Sequence, residues 1–452
     1  MAATGKIAWQ DGARAGAMDA AFAQAAAGRH PLFLYWGAAW CPPCNRVKAE
    51  IFARDAFAER MRRLVPVYLD GDAVGAQALA AQYQLRSYPT LVLFTPDGRE
   101  ITRLPCELDG ELFVAALDVA LRAASTATQS LQAALSSERA LAADPWSLLA
   151  HYSWDTDEGR LLGSRDPAAT LTALAQACPQ ADAAARLSLH AQVAAGRVDD
   201  APALLAMFAD ARLARANMDI LGNSGINLIK SASEGRAALV AALSAAARAW
   251  ADDCWLGAPD RLTALRLQMR LTRLGAPAAG LAEQLGQQVA AMVAESSDPY
   301  ERHTLVNTAV SALHDAGLPQ QAEALLLAEL PRSHSPYYFM LSLAAGAKRR
   351  GDTAGVLDWY QQAAATATGP ATRLQWGTTY LSSLIDLSPQ DSARIDAAAD
   401  ALLRDIAAAS GAADAFEQRN LTQMRRAAAK LAELPQPGPQ ASALSRTIDA
   451  GL

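Results

Sequence analysis

The chain has 452 residues, with 40 Lys and Arg against 46 Asp and Glu and a formal charge of −6. At a pI near 5.6, this balance speaks against general nucleic-acid binding. A hydrophobic share of 52 % and a mean hydropathy of +0.04 suit a soluble, largely helical protein of two to three domains, and no apolar stretch approaches the roughly 18 residues that insertion into a membrane requires.

In chain order, a short apolar piece around Ile7 and Trp9 precedes a helix with Ala17, Met18, Ala21, Phe22 and Ala25 on one face. Arg29-His30-Pro31 breaks it. The apolar run Leu32-Phe33-Leu34-Tyr35-Trp36 then reads as a strand, and Gly37-Ala38-Ala39-Trp40 leads into Cys41-Pro42-Pro43-Cys44. Cys-x-x-Cys between a strand and a helical pattern is a redox signature. A helix starting there puts Cys41 at its positive end, where the thiolate is favoured. Cys44, one turn on, can attack a mixed disulfide at Cys41 and release the partner. Pro42 and Pro43 suit the first turn, where a missing N–H costs little.

The motif helix continues through Val47, Ile51 and Phe52, and Asp55 reads as the N-cap of a second short helix with Phe57 and Met61 inward. Leu64 to Asp70 reads as a strand and Val74 to Tyr83 as a helix. Ser87-Tyr88-Pro89-Thr90 introduces a hairpin, Leu91–Phe94 and Ile101–Leu104, around Pro96-Asp97-Gly98. Asp109 caps a last helix from Glu111 to about Ala123. The order β-α-β-α-β-α-β-β-α is that of an α/β layer with a mixed sheet.

Residues 6–123 resemble a thioredoxin-fold domain, and are most similar to the branch containing the C-terminal periplasmic domain of the bacterial transmembrane disulfide reductase. The matching features are Trp40-Cys41-x-x-Cys44, Val67-Tyr68-Leu69-Asp70, Tyr88-Pro89-Thr90 and the Asp-Gly hairpin. The resemblance implies that Pro89 is cis beside the motif. It also implies a substrate groove shaped by Trp40, Pro42, Pro43, Tyr88, Pro89 and Cys106. Two departures stand out. Tyr35 occupies the position of the family's buried Asp, which takes the proton from the second cysteine, and Pro66 that of the lysine often paired with it. The proton relay would then fall to water or Tyr35. Cys106 stands where the family usually has Gly. It is either a small side chain filling a small site or a third thiol able to form mixed disulfides or protect Cys41.

Beyond Ser125–Ser130, a plausible boundary, almost no strand signal remains. Helix starts are read at Asp144-Pro145, Asp166-Pro167 and Ser388-Pro389. Helix-Gly-turn-helix units recur at Gly196, Gly317 and Gly351, the last two 34 residues apart, the tetratricopeptide period. The expected architecture is an N-terminal α/β thioredoxin fold (1–124), followed by an all-α, solenoid-like helical-repeat region in two parts, 125–220 and 221–452, with an irregular all-helical bundle as the other reading of that half. The parts would be divided by a hinge at Leu221–Asn227. The aromatic and acidic stretch His151–Glu158 reads as a helix end docked on the first domain. Trp146, Trp154, Trp250, Trp255, Trp359 and Trp376 read as packing residues, with a Trp-lined groove for an extended client as the other reading. Cys178 and Cys254 read as buried small hydrophobes. No His or Cys spacing suggests a metal site.

These features point to a thiol–disulfide oxidoreductase. Cys41 attacks and Cys44 resolves, with no cofactor beyond that redox-active pair. Its partners would be protein thiols or disulfides and a separate electron donor or acceptor. The rival is a chaperone-like adaptor whose helices hold clients while the dithiol serves as sensor or tether. The resemblance favours the periplasm of a bacterium; the start Met1–Lys6, without an apolar leader core, favours the cytoplasm.

Overall fold

The computed structural model describes residues 7–136, 142–409 and 418–450; Met1–Lys6, read above for a leader, lie outside them. The first part is a five-stranded sheet in the order β1-β3-β2-β4-β5. Its strands are β1 Gln10–Asp11, β2 Leu32–Gly37, β3 Val65–Asp70, β4 Thr90–Phe94 and β5 Glu100–Leu104. β1 and β2 run parallel to β3, whereas β4 runs antiparallel to β2 and β5 to β4. The helices are α1 Ala17–Gly28, α2 Pro42–Arg46, α3 Asp55–Met61, α4 Ala76–Gln82 and α5 Gly110–Arg122.

Every residue of β2 is buried, as its uninterrupted apolar run requires of a strand covered on both faces. Side chains alternate across it. Leu32, Leu34 and Trp36 pack with Met18, Ala21, Ala76 and Ala80 of α1 and α4. Phe33 and Tyr35 pack on the other face, with Cys44, Val47, Phe57 and Phe113 of the motif helix, α3 and α5. Tyr35 therefore points at the motif. After α2 the backbone widens into a π-helical stretch, Val47–Phe52, an irregularity often found at functional sites. The helix expected to be capped by Asp55 starts one residue earlier, with Arg54 at the cap and Asp55 first inside.

From Ala127–Ser136 to Pro439–Asp449 the described residues form α-helices and short turns, with no strand. Two helix–turn–helix pairs illustrate the pattern: Pro299–Asp315 with Pro319–Glu329, and Pro336–Arg349 with Thr353–Thr366. Gly196, Gly317 and Gly351 all have positive φ at the turns, a conformation that glycine adopts without penalty. Asp166 caps Pro167–Ala177 by accepting the Ala169 N–H at 2.7 Å.

Several expectations are corrected. Leu221–Asn227 is no hinge but lies inside the helix Met218–Ser231, so a division at 220/221 would cut a helix. Ser388 closes the helix Pro370–Leu387 rather than opening the next, which begins at Ser392. Asp144-Pro145 lie in the first turn of Ala143–Ala150, whose N-cap is Ala142. Cys254 is exposed, as is Trp255, at 81 %. The docking expected of His151–Glu158 is present: the Ser153 N–H donates to the Arg103 carbonyl at 3.0 Å.

Candidate redox site

Cys41 occupies the N-cap of α2, and its sulfur accepts the Cys44 N–H at 3.4 Å. The two prolines stand at the helix start, where they remove only N–H groups that no helical carbonyl would have met. Cys41 is 4 % exposed and Cys44 fully buried. Both are free thiols. Burial, reinforced by the Cys44 thiol beside it, pushes the Cys41 thiol up. Cys44 pays the same burial cost yet is lowered. Cys41, the Ala38 backbone, the Lys48 ammonium and the Tyr35 hydroxyl all favour its thiolate. Of the two sulfurs, Cys44 is therefore the one whose thiolate is favoured in this closed arrangement, the reverse of the expected order.

Tyr35 is the residue facing Cys44 from the sheet. Its hydroxyl is buried without a well-formed hydrogen bond, and burial followed by the Cys44 charge pushes its own pKa up. Its ring stacks on Tyr68 at 5.0 Å. The Tyr88–Pro89 bond is cis, as the resemblance implied. Tyr88 stacks on Trp36 at 4.8 Å, and its hydroxyl accepts from Gln77 at 3.1 Å. Cys106 lies close enough to both motif cysteines for their charges to interact. It is buried, its thiol is driven up by that burial, and its carbonyl accepts from Arg46 at 3.3 Å. Those surroundings suit a small buried side chain better than an attacking thiolate.

The expected groove is not open. The helical half lies over it. The Trp40 ring stacks on Tyr338 at 6.0 Å and meets Trp376 edge-on at 6.2 Å. Its indole N–H donates to Asp72 at 3.1 Å, and Asp72 also accepts the Thr372 amide and hydroxyl at 3.0 and 2.6 Å. Burial raises the Asp72 carboxyl to about 6. The backbone before Cys41 is held from the same side. His303 donates through Nε2 to the Trp40 carbonyl at 3.2 Å, and His334 to the Ala39 carbonyl at 3.0 Å. Arg46 reaches Asp260 at 2.7 Å and Glu50 at 2.9 Å. Burial outweighs that guanidinium and raises the Glu50 carboxyl to about 8. A cavity of about 250 Å³ remains in the seam, lined among others by Pro42, Pro43, Arg46, Glu107 and Asn307. Asn307 also borders a second space beside Trp40, Tyr338 and Trp376. Pro43 is the exposed residue of the motif.

The sequence reading thus brings together Tyr35, Trp40, Cys41, Cys44, Tyr88, Pro89 and Cys106. It missed His303, His334 and Tyr338, which lie more than 250 positions downstream with no local signal, as the separation of 263 between His303 and Trp40 illustrates. Lys48 and Asp72 were within reach: Lys48 follows Cys44 by four residues and so shares its helix face.

Fold and motif together define a thioredoxin-like α/β domain carrying a dithiol at a helix N-terminus. Residues 18–121 match the thioredoxin-like domain family. No curated protein and no solved structure matches the chain.

Proposed function

We propose that the protein is a thiol–disulfide oxidoreductase acting on protein disulfides through Cys41 and Cys44, with the helical half binding the client or a redox partner. The observation that carries this reading is the placing of Cys41. It caps α2 with its sulfur on the Cys44 amide, so that Cys44 attack closes a short intramolecular disulfide and expels the client. Electrons then pass from the dithiol to the client disulfide, and a separate reductant restores the pair. Cys41 as attacking thiolate requires the seam to open, since both burial and its neighbour hold its proton in the closed form. Helix–Gly–turn–helix pairs such as Pro336–Arg349 with Thr353–Thr366 support a tetratricopeptide-like character for the helical half, a common arrangement for binding extended chains.

A second reading is favoured by the burial of the motif under Trp40, Tyr338 and Trp376. In it, the dithiol senses or tethers while the helices hold unfolded clients. Insulin reduction and aggregation suppression, measured on the parent and on a Cys41→Ser, Cys44→Ser double variant, separate the two. The oxidoreductase reading expects reduction by the parent and none by the variant. A parent that suppresses aggregation but never reduces insulin, with the variant equally protective, overturns it in favour of the second.

A further inference from the structure

Lys48 is a buried lysine, 7 % exposed, one helical turn beyond Cys44. It forms no ion pair or hydrogen bond with any described residue. Its ammonium instead lies over two tyrosine rings, 5.5 Å from the Tyr68 centroid and 4.8 Å from that of Tyr300. Tyr68 belongs to β3 and stacks on Tyr35; Tyr300 belongs to the helix Pro299–Asp315 of the helical half. The π-helical stretch begins at Val47 and so sets where Lys48 projects. A lysine removed from water without a carboxylate partner is costly, and cation–π contacts offset only part of that cost. Such a site suits a lysine that changes charge with its neighbour.

We infer that Lys48 takes the proton of Cys44 during resolution, with Tyr300 covering the lysine in the closed form. This rests on the oxidoreductase reading. In the mixed-disulfide state the flexible Lys48 side chain turns from the tyrosine rings onto the Cys44 sulfur, and Cys44–SH and the Lys48 amine become a thiolate and an ammonium. The thiolate attacks the Cys41 sulfur, forming the Cys41–Cys44 bond and breaking the bond from Cys41 to the client. The two electrons of that bond leave with the client sulfur, and Lys48 returns the proton to it as the client thiol departs. Nothing else is consumed.

The electrostatics agree with the geometry. Burial lowers the Lys48 pKa, opposed by the charges of Cys44, Asp70 and Cys41. Lys48 in turn favours the Cys44 thiolate. The titratable groups facing it are Cys41 and Cys44 on its own helix, Tyr68 and Asp70 on β3, and Tyr300 and His334 from the helical half. Tyr35 is buried against Cys44 with an unmatched hydroxyl and can orient the sulfur but carries no base.

The test uses the full chain in a Cys254→Ser background, which removes the exposed thiol. The reduced protein is mixed with the chromogenic disulfide dithiobis-nitrobenzoate. The first nitrothiobenzoate released reports attack by Cys41, and the second reports resolution by Cys44. Lys48→Met is expected to slow the second phase roughly 10²-fold at neutral pH, the low end of a general-base contribution, and to move its pH midpoint upward. Lys48→Arg keeps a positive charge but cannot take a proton. It is expected to leave the phase slow, while holding the midpoint nearer the parent's. Equal second-phase rates and pH profiles in the parent, Lys48→Met and Lys48→Arg overturn the inference. Should Lys48→Met fail to fold, the Lys48→Arg comparison decides alone, since a parent-like rate in that variant also overturns it. A parent showing no second phase overturns the oxidoreductase reading itself, and the inference falls with it.

Discussion

Two of the places where the helical half meets the α/β domain differ in chemistry. At the β5 edge the contact is ionic and sealed. Arg103 has no exposed side-chain surface, donates to the Gln84 and Tyr83 carbonyls at 3.0 and 3.1 Å, and lies 3.7 Å from the equally buried Asp157. Asp157 accepts the Tyr152 hydroxyl and the Leu161 amide, each at 2.6 Å, and Arg160 joins it to Glu100. Every charge there is answered. Over the motif, by contrast, the contact mixes stacked rings, two histidine–carbonyl bonds, the Asp72–Thr372 hydrogen bonds and one ion pair, Arg46–Asp260, around a cavity. The first has the character of a permanent joint. The second has one buried ion pair, Arg46–Asp260, to break on parting and otherwise neutral contacts around a cavity, and it covers the cysteines that the proposed reaction uses.

The largest expected effect breaks the first contact. Arg103→Met removes the cation and leaves Asp157 and Glu100 short of a partner in a sealed site. Breaking a buried pair costs about 3–5 kcal/mol when the remaining charge is left uncompensated; Arg160 still answers both carboxylates here, so the lower end of that range is expected. Denaturant unfolding should show that loss, with the whole chain destabilised. A loss below about 1 kcal/mol would mean that the joint is solvated and that the contrast drawn above is mistaken.

The next effect acts on the second contact, through pH. Burial first, then neighbouring His334, lowers the His303 pKa to about 3. A histidine released to water returns to about 6.5. A depressed histidine contributes stability that is present above 6.5 and is lost as pH falls toward the closed-state value. At pH 5 the cost of keeping His303 neutral is about 2 kcal/mol. The seam should therefore loosen between pH 7 and pH 5, read as faster exchange of the Cys41, Cys44 and Asn45 amides after correction for intrinsic rates. His303→Gln can still donate to the Trp40 carbonyl but does not titrate, and should show a smaller change, the remainder belonging to His334, whose pKa burial also lowers. An equal response in parent and variant would remove His303 from any role in holding the seam.

Much of the first domain was legible because its signals are local. The unbroken apolar run of β2 requires burial on both faces, Asp97-Gly98 requires a turn, and the cysteine spacing requires one helical turn between the sulfurs. The helical half hides its signals in packing. Gly222, Asn223 and Gly225 look like a break, yet a Cβ on Gly225 would lie 2.9 Å from Leu243; the small residue is there for close helix approach, not flexibility. Ser388-Pro389 has the composition of a helix start, but the preceding helix runs on to Leu387 and uses it as an end. The cover over the motif is the extreme case. Nothing near His303 or Tyr338 announces a cysteine pair, because only the folded path of the helices brings them to Trp40.

The smallest effect sharpens the same contrast. Tyr338 stacks on Trp40 with the ring planes 20° apart, and an aromatic pair of this kind is worth about 0.5–1.5 kcal/mol beyond its buried area. Tyr338→Ala should weaken the closed seam by that order while leaving the Arg103 joint intact. If Cys41 reacts only when the seam parts, its alkylation by iodoacetamide should quicken roughly 2- to 12-fold, which is that energy expressed as a population. Cys254, exposed in the closed form, serves as the control within the same chain and should react at an unchanged rate. The unfolding free energy should fall far less than in Arg103→Met. Faster alkylation of Cys41 with Cys254 unchanged would separate opening of the seam from loss of the fold. An unchanged rate at Cys41 would mean that the reagent reaches it through the cavity beside Pro42 and Pro43, with the helical cover in place.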